Sequence, residues 1–178
     1  NQTDYGKEME KIKQDDPNSF TALSEAVNDA FKSEKYNDAL AICQKAKDLY
    51  GSNTTTEAWE LNIASQQKRT QDVIEMSKTL YKKYPDNADY MNLRYVIENN
   101  VSQNSKAATS IVEDYCNNYF NGKAMETLAK IYADQGNQEK SLTVLRQRID
   151  HMPYAIGYLD NLAGVYFKMQ RYKDALEV

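Results

Sequence analysis

Histidine, tryptophan, cysteine, proline and glycine are all scarce in this chain, and each shortage removes a class of function. There is one histidine, His151, and there are two cysteines, Cys43 and Cys116, in 178 residues. A zinc site needs about four such ligands at close spacing, so no metal centre is expected. The same shortage leaves no Cys-His or Ser-His pair for nucleophilic catalysis. His151 lies in RIDHMP at a helix end, where an imbalance of backbone carbonyls favours a solvated imidazole. The six glycines are scattered singly, so no phosphate-cradling loop is present. With only three prolines besides, the chain does not read as loop-rich or disordered.

Positive charge is also lacking. The formal net charge is −4 and the pI near 5.1, which gives no footprint for a phosphate backbone. Nucleic acid is therefore not an expected partner. No apolar run approaches the ~18 residues of a membrane span. No basic-then-apolar leader opens the chain, although the pattern is already under way at its first residue. Localisation stays open between the cytoplasm and, had a leader been removed, a bacterial envelope or periplasm. Cys43 and Cys116 fall two repeats apart, too far for the ~7 Å Cα separation of a disulfide, and are expected as free, packed thiols.

What the chain has is a period. GKAMETLAKIYADQGNQEKSLTVLRQRIDHMPYA and the following IGYLDNLAGVYFKMQRYKDALEV agree at an offset of 34 residues. Met125 falls on Leu159, Leu128 on Leu162, Ala129 on Ala163, Tyr132 on Tyr166, Ser141 on Ala175 and Leu142 on Leu176. Pro85 and Pro153 stand two such steps apart. Self-similarity at this period is the mark of stacked helical hairpins.

Taken in order, residues 2–14 carry Tyr5, Met9 and Ile12 on one helical face, stopped by Asp15, Asp16 and Pro17. This stretch, 1–19, reads as the second helix of a preceding partial repeat. Units then begin near residues 20, 54, 88, 122 and 156, and the last is truncated. In the first, Leu23, Ala26, Val27 and Ala30 face Tyr36, Ala39, Cys43 and Ala46 across the polar turn SEKYND. Gly51 closes the second helix. Thr54 and Glu57 are the expected capping box of the next. That unit uses Ala58, Leu61 and Ala64, with Trp59 beside them, then Val73, Met76 and Leu80, and ends at Tyr84-Pro85. The third unit fits least well. A strict 34-residue frame turns Arg94 and Glu98 inward, which predicts either a one-residue slip or a distorted hairpin. Asn121 and Asn137 are expected N-caps in the fourth.

These residues resemble the tetratricopeptide repeat family. The match is best over Leu159, Leu162, Ala163, Tyr166, Tyr172 and Ala175, with Gly136 at a hairpin turn and Pro153 at a unit end. Ala26, Val27, Ala30, Tyr36, Ala39 and Ala46 repeat it in the first unit, and the resemblance covers residues 20–178. It implies an all-α, right-handed solenoid of stacked antiparallel helix pairs whose first helices line a concave groove. The groove-facing residues it implies are Asn28, Phe31, Lys32, Asn62 and Gln66, then Asn92, Asn99, Lys123, Glu126, Lys130 and Asp160. Charges in this lining nearly cancel, with Lys32, Lys123, Lys130 and Lys168 against Asp89, Glu126, Asp134 and Asp160. Carboxamides fill its first half, each both donor and acceptor, and so able to pair with an extended backbone without reading its side chains. Chaperone-binding members clamp a carboxylate with Lys and Asn. Asn28 and Asn62 match the asparagines, but Ser24 stands where the lysine is expected, so that function does not carry over.

The expected function is non-catalytic binding of a protein, an extended peptide or a partner helix, without cofactor or metal. The alternative is an assembly segment that packs on other domains of a longer chain, or self-associates through uncapped ends at Asn1 and Val178. Most of the 14 tyrosines fall on packing positions; Tyr154 and Tyr158 are less constrained and are candidate interface residues.

Overall fold

The computed structural model describes residues 2–178, with side chains from Gly6 onward. Asn1 and the Tyr5 side chain lie outside the described residues. Among those described, all regular structure is α-helical. A leading helix α1 (Gln2–Asp15) precedes ten helices, taken two by two in chain order: α2 (Phe20–Lys32) and α3 (Tyr36–Tyr50), α4 (Thr54–Gln66) and α5 (Thr70–Lys83), α6 (Ala88–Asn100) and α7 (Ser105–Asn118), α8 (Gly122–Asp134) and α9 (Gln138–His151), and α10 (Ile156–Lys168) and α11 (Tyr172–Glu177). The chain forms two compact units, Asn1–Ser77 and Lys78–Val178, described in turn below.

The first helix of each pair starts 34 residues after the last and runs for 13 residues. Four of these five starts carry a side-chain cap. The preceding residues Ser19, Asn53, Asn87 and Asn121 accept hydrogen bonds from amides of the first turn, which have no partner within the helix. The cap of α4 differs from the expected Thr54–Glu57 box. Asn53 is the cap, and the box closes on Thr56, whose hydroxyl lies 3.1 Å from the Asn53 amide nitrogen. Glu57 instead accepts from the Ser52 hydroxyl at 2.8 Å. An asparagine oxygen reaches the same amides as a threonine hydroxyl, so the cap moved one residue upstream. Asn137 caps α9 through the Lys140 amide.

The hairpin turns repeat as well. Lys35 donates to the Ala30 carbonyl, Arg69 to Ala64, Asn137 to Tyr132 and Arg171 to Tyr166, the six-to-one bond of a Schellman motif. The residue before each donor is left-handed: Glu34, Lys68, Gly136 and Gln170 have φ of 57°, 56°, 77° and 59°. Only one of these is glycine, so the others carry a strain of about 1 kcal/mol each.

In the first unit, Val27, Ala30, Ala39, Cys43 and Ile63 form a buried cluster flanked by Phe31, Tyr36, Leu40, Ile42 and Trp59. Phe20 stacks on Trp59 and meets Tyr50 edge-on, both at 5.5 Å. A half-buried ion pair, Lys47–Glu60 at 2.5 Å, ties α3 to α4.

The core of the second unit runs through Met91, Val112, Tyr115, Ala124, Met125, Leu128, Ala129, Tyr132, Leu142, Leu145, Leu162 and Tyr166. Burying each large apolar side chain contributes roughly 1.5–3 kcal/mol. Here the poorly fitting pair resolves without a slip in α6. Arg94 is buried and Glu98 nearly so, and they form an ion pair one turn apart on the inward face. The irregularity sits in the turn: Gln103, rather than residue 102, is left-handed (φ 51°), and Asn104 donates to the Glu98 carbonyl. The extra residue delays α7 by one, and the frame is regained at α8.

Candidate binding surface

Side chains that face away from the core on α8 and α10 converge on a hollow of about 370 Å³ within the second unit. Glu126, Lys130 and Asp134 come from successive turns of α8, and Asp160, Gly164 and Lys168 from successive turns of α10, because residues four apart share a helix face. The floor is small and apolar, made by Ala129, Ala133, Leu145 and Val165 with Ser141. Gly164 has nothing within 4 Å of where a Cβ would stand, which keeps the hollow wide at its centre. Three carboxylates and two ammonium groups ring the floor, so the site offers hydrogen bonds and charge of both signs over an apolar base.

Of the residues expected on this face, Glu126, Lys130 and Asp160 meet in that hollow. Asn92, Asn99 and Lys123 are exposed but do not line it, and the Asn99 amide is engaged with Asn100 at 2.9 Å. In the first unit Asn28, Lys32, Asn62 and Gln66 are exposed. Phe31 departs from expectation. It is half-buried, packs against the Val27–Ile63 cluster and meets Tyr36 edge-on at 5.9 Å, since a phenyl ring gains more from that contact than from water.

A second hollow of about 360 Å³ opens on the other side of the unit between α7 and α9. Met125, Leu128 and Val144 form its floor, and the Tyr132 hydroxyl donates to Glu113 at its rim. Burial, and then the Glu113 carboxylate, push the Tyr132 phenol far above its usual range. Both cysteines are free, and burial pushes each thiol up to about 11, so neither is a nucleophile near neutral pH. Among the described residues no group of three His, Cys, Asp or Glu is placed to hold a metal ion, and no helix is long and apolar enough to cross a membrane.

The residue that sequence reasoning missed is Arg148. It is only 4% exposed, and its guanidinium lies 3.3 Å from the centroid of the Tyr158 ring. In the 34-residue register its place is that of Ala46 and Leu80, both buried and apolar. An arginine at a packing position was the available signal.

No family profile and no curated protein sequence matches the chain. Solved structures are. The MamA RS-1 ArsTM double mutant superposes with a TM-score of 0.56 at 14% identity, over 87% of each chain. YrrB, described as a TPR protein with an unusual peptide-binding site, gives 0.51 at 16% identity, over 95% of this chain and 87% of its own. A tetratricopeptide repeat protein from Parabacteroides merdae gives 0.51 at 17%, over 95% of this chain and 67% of its own. With its helix pairs recurring at a fixed step, the chain therefore has the tetratricopeptide-repeat fold, an all-α solenoid.

Proposed function

We propose that the chain is a non-catalytic interaction module that binds a protein or an extended peptide on the face that the first helices α8 and α10 make in its second unit. The observation that carries this reading is the hollow between α8 and α10, where Glu126, Lys130 and Asp160 surround a largely apolar floor. A mixed-charge rim over an apolar base suits a polypeptide, which presents amides, side-chain stems and charges together. That one fold neighbour is described as peptide-binding supports the same reading.

Peptides selected from a displayed random library, followed by fluorescence anisotropy, test it. Gly164→Trp fills the hollow without opposing the helix, since Gly is the poorer helix former. Lys130→Glu reverses one rim charge. Each is expected to weaken binding at least tenfold with the melting temperature held. Unchanged affinity in both variants overturns the assignment of this face.

A second reading, packing against other domains or a second copy, is favoured by exposed apolar side chains on the last pair. Phe167 is 65% exposed and Leu176 89%. Sedimentation velocity across a hundredfold concentration range separates the two, because a constant monomer counts against self-association.

A further inference from the structure

The buried guanidinium of Arg148 is incompletely paired. Its Nη2 has one long contact, 3.4 Å to Glu126 Oε2, while Nε and Nη1 are buried and meet no acceptor among the described residues. Buried N–H groups ordinarily find partners, and a guanidinium presents its donors as a fork matched to two oxygens at once. Glu126 supplies one. The same oxygen lies 3.5 Å from Lys123 Nζ, so Glu126 has an alternative cation at hand.

The surroundings are shaped for this arginine. Tyr158 covers one face of the guanidinium at 3.3 Å. Gly122 makes the room: a Cβ there would stand 2.4 Å from the Tyr158 hydroxyl and 3.6 Å from Arg148 Nε. Gly122 is the first residue of α8, so the group sits beside the positive end of a helix dipole, where added cationic charge is unfavourable and an anion is stabilised. A buried cation, two idle donors and a helix start all call for negative charge that Glu126 only half provides.

We infer that Arg148 is an anchor for a carboxylate of an acidic polypeptide partner, and that Glu126 occupies its place until the partner arrives. The inference rests on the reading of the chain as a polypeptide-binding module and adds the chemistry of what it selects. The incoming carboxylate takes Nη2 together with a neighbouring N–H in a two-point contact, and Glu126 turns to Lys123. The covering group is the movable one, since the Glu126 side chain is 42% exposed while that of Arg148 is 4%. Tyr158 and Gly122 are positioning residues that hold the guanidinium flat.

Isothermal titration with an acetylated, amidated octaglutamate peptide at 0.15 M salt tests this. Glu126→Gln keeps an acceptor for Arg148 but removes the competing charge, and is expected to tighten binding at least fivefold. Arg148→Met and Arg148→Lys are expected to lose it, the latter because an ammonium cannot form the fork. In the Glu126→Gln protein, which keeps the native arginine, the Arg148 Nε–Hε resonance is expected to shift on saturation with the peptide. No tightening in Glu126→Gln, an unmoved resonance, or wild-type affinity in Arg148→Met overturns the inference. If library-selected peptides still bind and still depend on Lys130 and Gly164, that failure concerns the carboxylate anchor alone. Failure of every peptide strikes the proposed function itself.

Discussion

The third and fourth helix pairs, α6–α7 and α8–α9, occupy the same compact unit and solve the same problem with different chemistry. In α8 the inward positions of successive turns hold Leu128 and Tyr132, both buried. One 34-residue step earlier, in α6, the same positions hold Arg94 and Glu98, which pair with each other. Both helices nonetheless start at a capping asparagine, Asn87 or Asn121, and both run for 13 residues. The register is thus set at the helix starts and carried by residues such as Tyr90, Met91 and Ile97. An ion pair can fill an inward position without moving the helix.

Breaking each inward pair separates the two solutions. Leu128→Ala should cost about 3–4 kcal/mol, the transfer of the lost carbons plus the cavity left behind. Glu98→Ala should cost about 3 kcal/mol, because it withdraws a carboxylate from beside a buried guanidinium. The double change Arg94→Leu with Glu98→Tyr copies α8 into α6 and should be neutral or stabilising by about 1 kcal/mol, since a buried ion pair offsets its own desolvation poorly. Urea unfolding measures all three, and a double variant weaker than Glu98→Ala would show that the ion pair specifies α6.

The turns extend the comparison at smaller size. Gly136 is left-handed in the fourth pair and Gln103 in the third. Gly136→Gln should cost about 1 kcal/mol and Gln103→Gly should gain a similar amount, because only glycine takes this conformation without strain. Thermal melts that move in the same direction for both would contradict it.

The smallest effect concerns the thiols. With Cys116 and Cys43 both raised to about 11, alkylation by iodoacetamide at pH 8 should run far below the rate of a free cysteine and rise with pH toward 10 in the folded protein. A thiol that reacts at pH 7 as fast as free cysteine would show that burial does not control it.

The fold was legible because helix pairs that cannot hide their apolar faces alone must repeat those faces at a fixed step, which leaves the step in the sequence. Caps were legible where Asn121 and Asn137 stood alone. At α4, Asn53, Thr54 and Thr56 competed for one role, and a hydroxyl and an amide oxygen differ too little in the sequence to choose between. The site was less legible. Polar residues on a helix face report exposure, not convergence, so Asn92 and Lys130 looked alike although only Lys130 lines the hollow. Phe31 shows the converse, since its place on a face said nothing of the neighbouring Tyr36 it packs against. Arg148 was hidden because its partners, Tyr158 and Gly122, lie on different helices and meet only when α8, α9 and α10 are packed.

The claim that the first-helix face is the binding face is tested most directly by amide chemical-shift mapping in ¹⁵N-labelled protein titrated with a library-selected peptide. The account predicts that the largest shifts fall on Glu126, Lys130, Asp160 and Lys168, across α8 and α10. Shifts confined to α7 and α9, around Glu113 and Lys140, would contradict it.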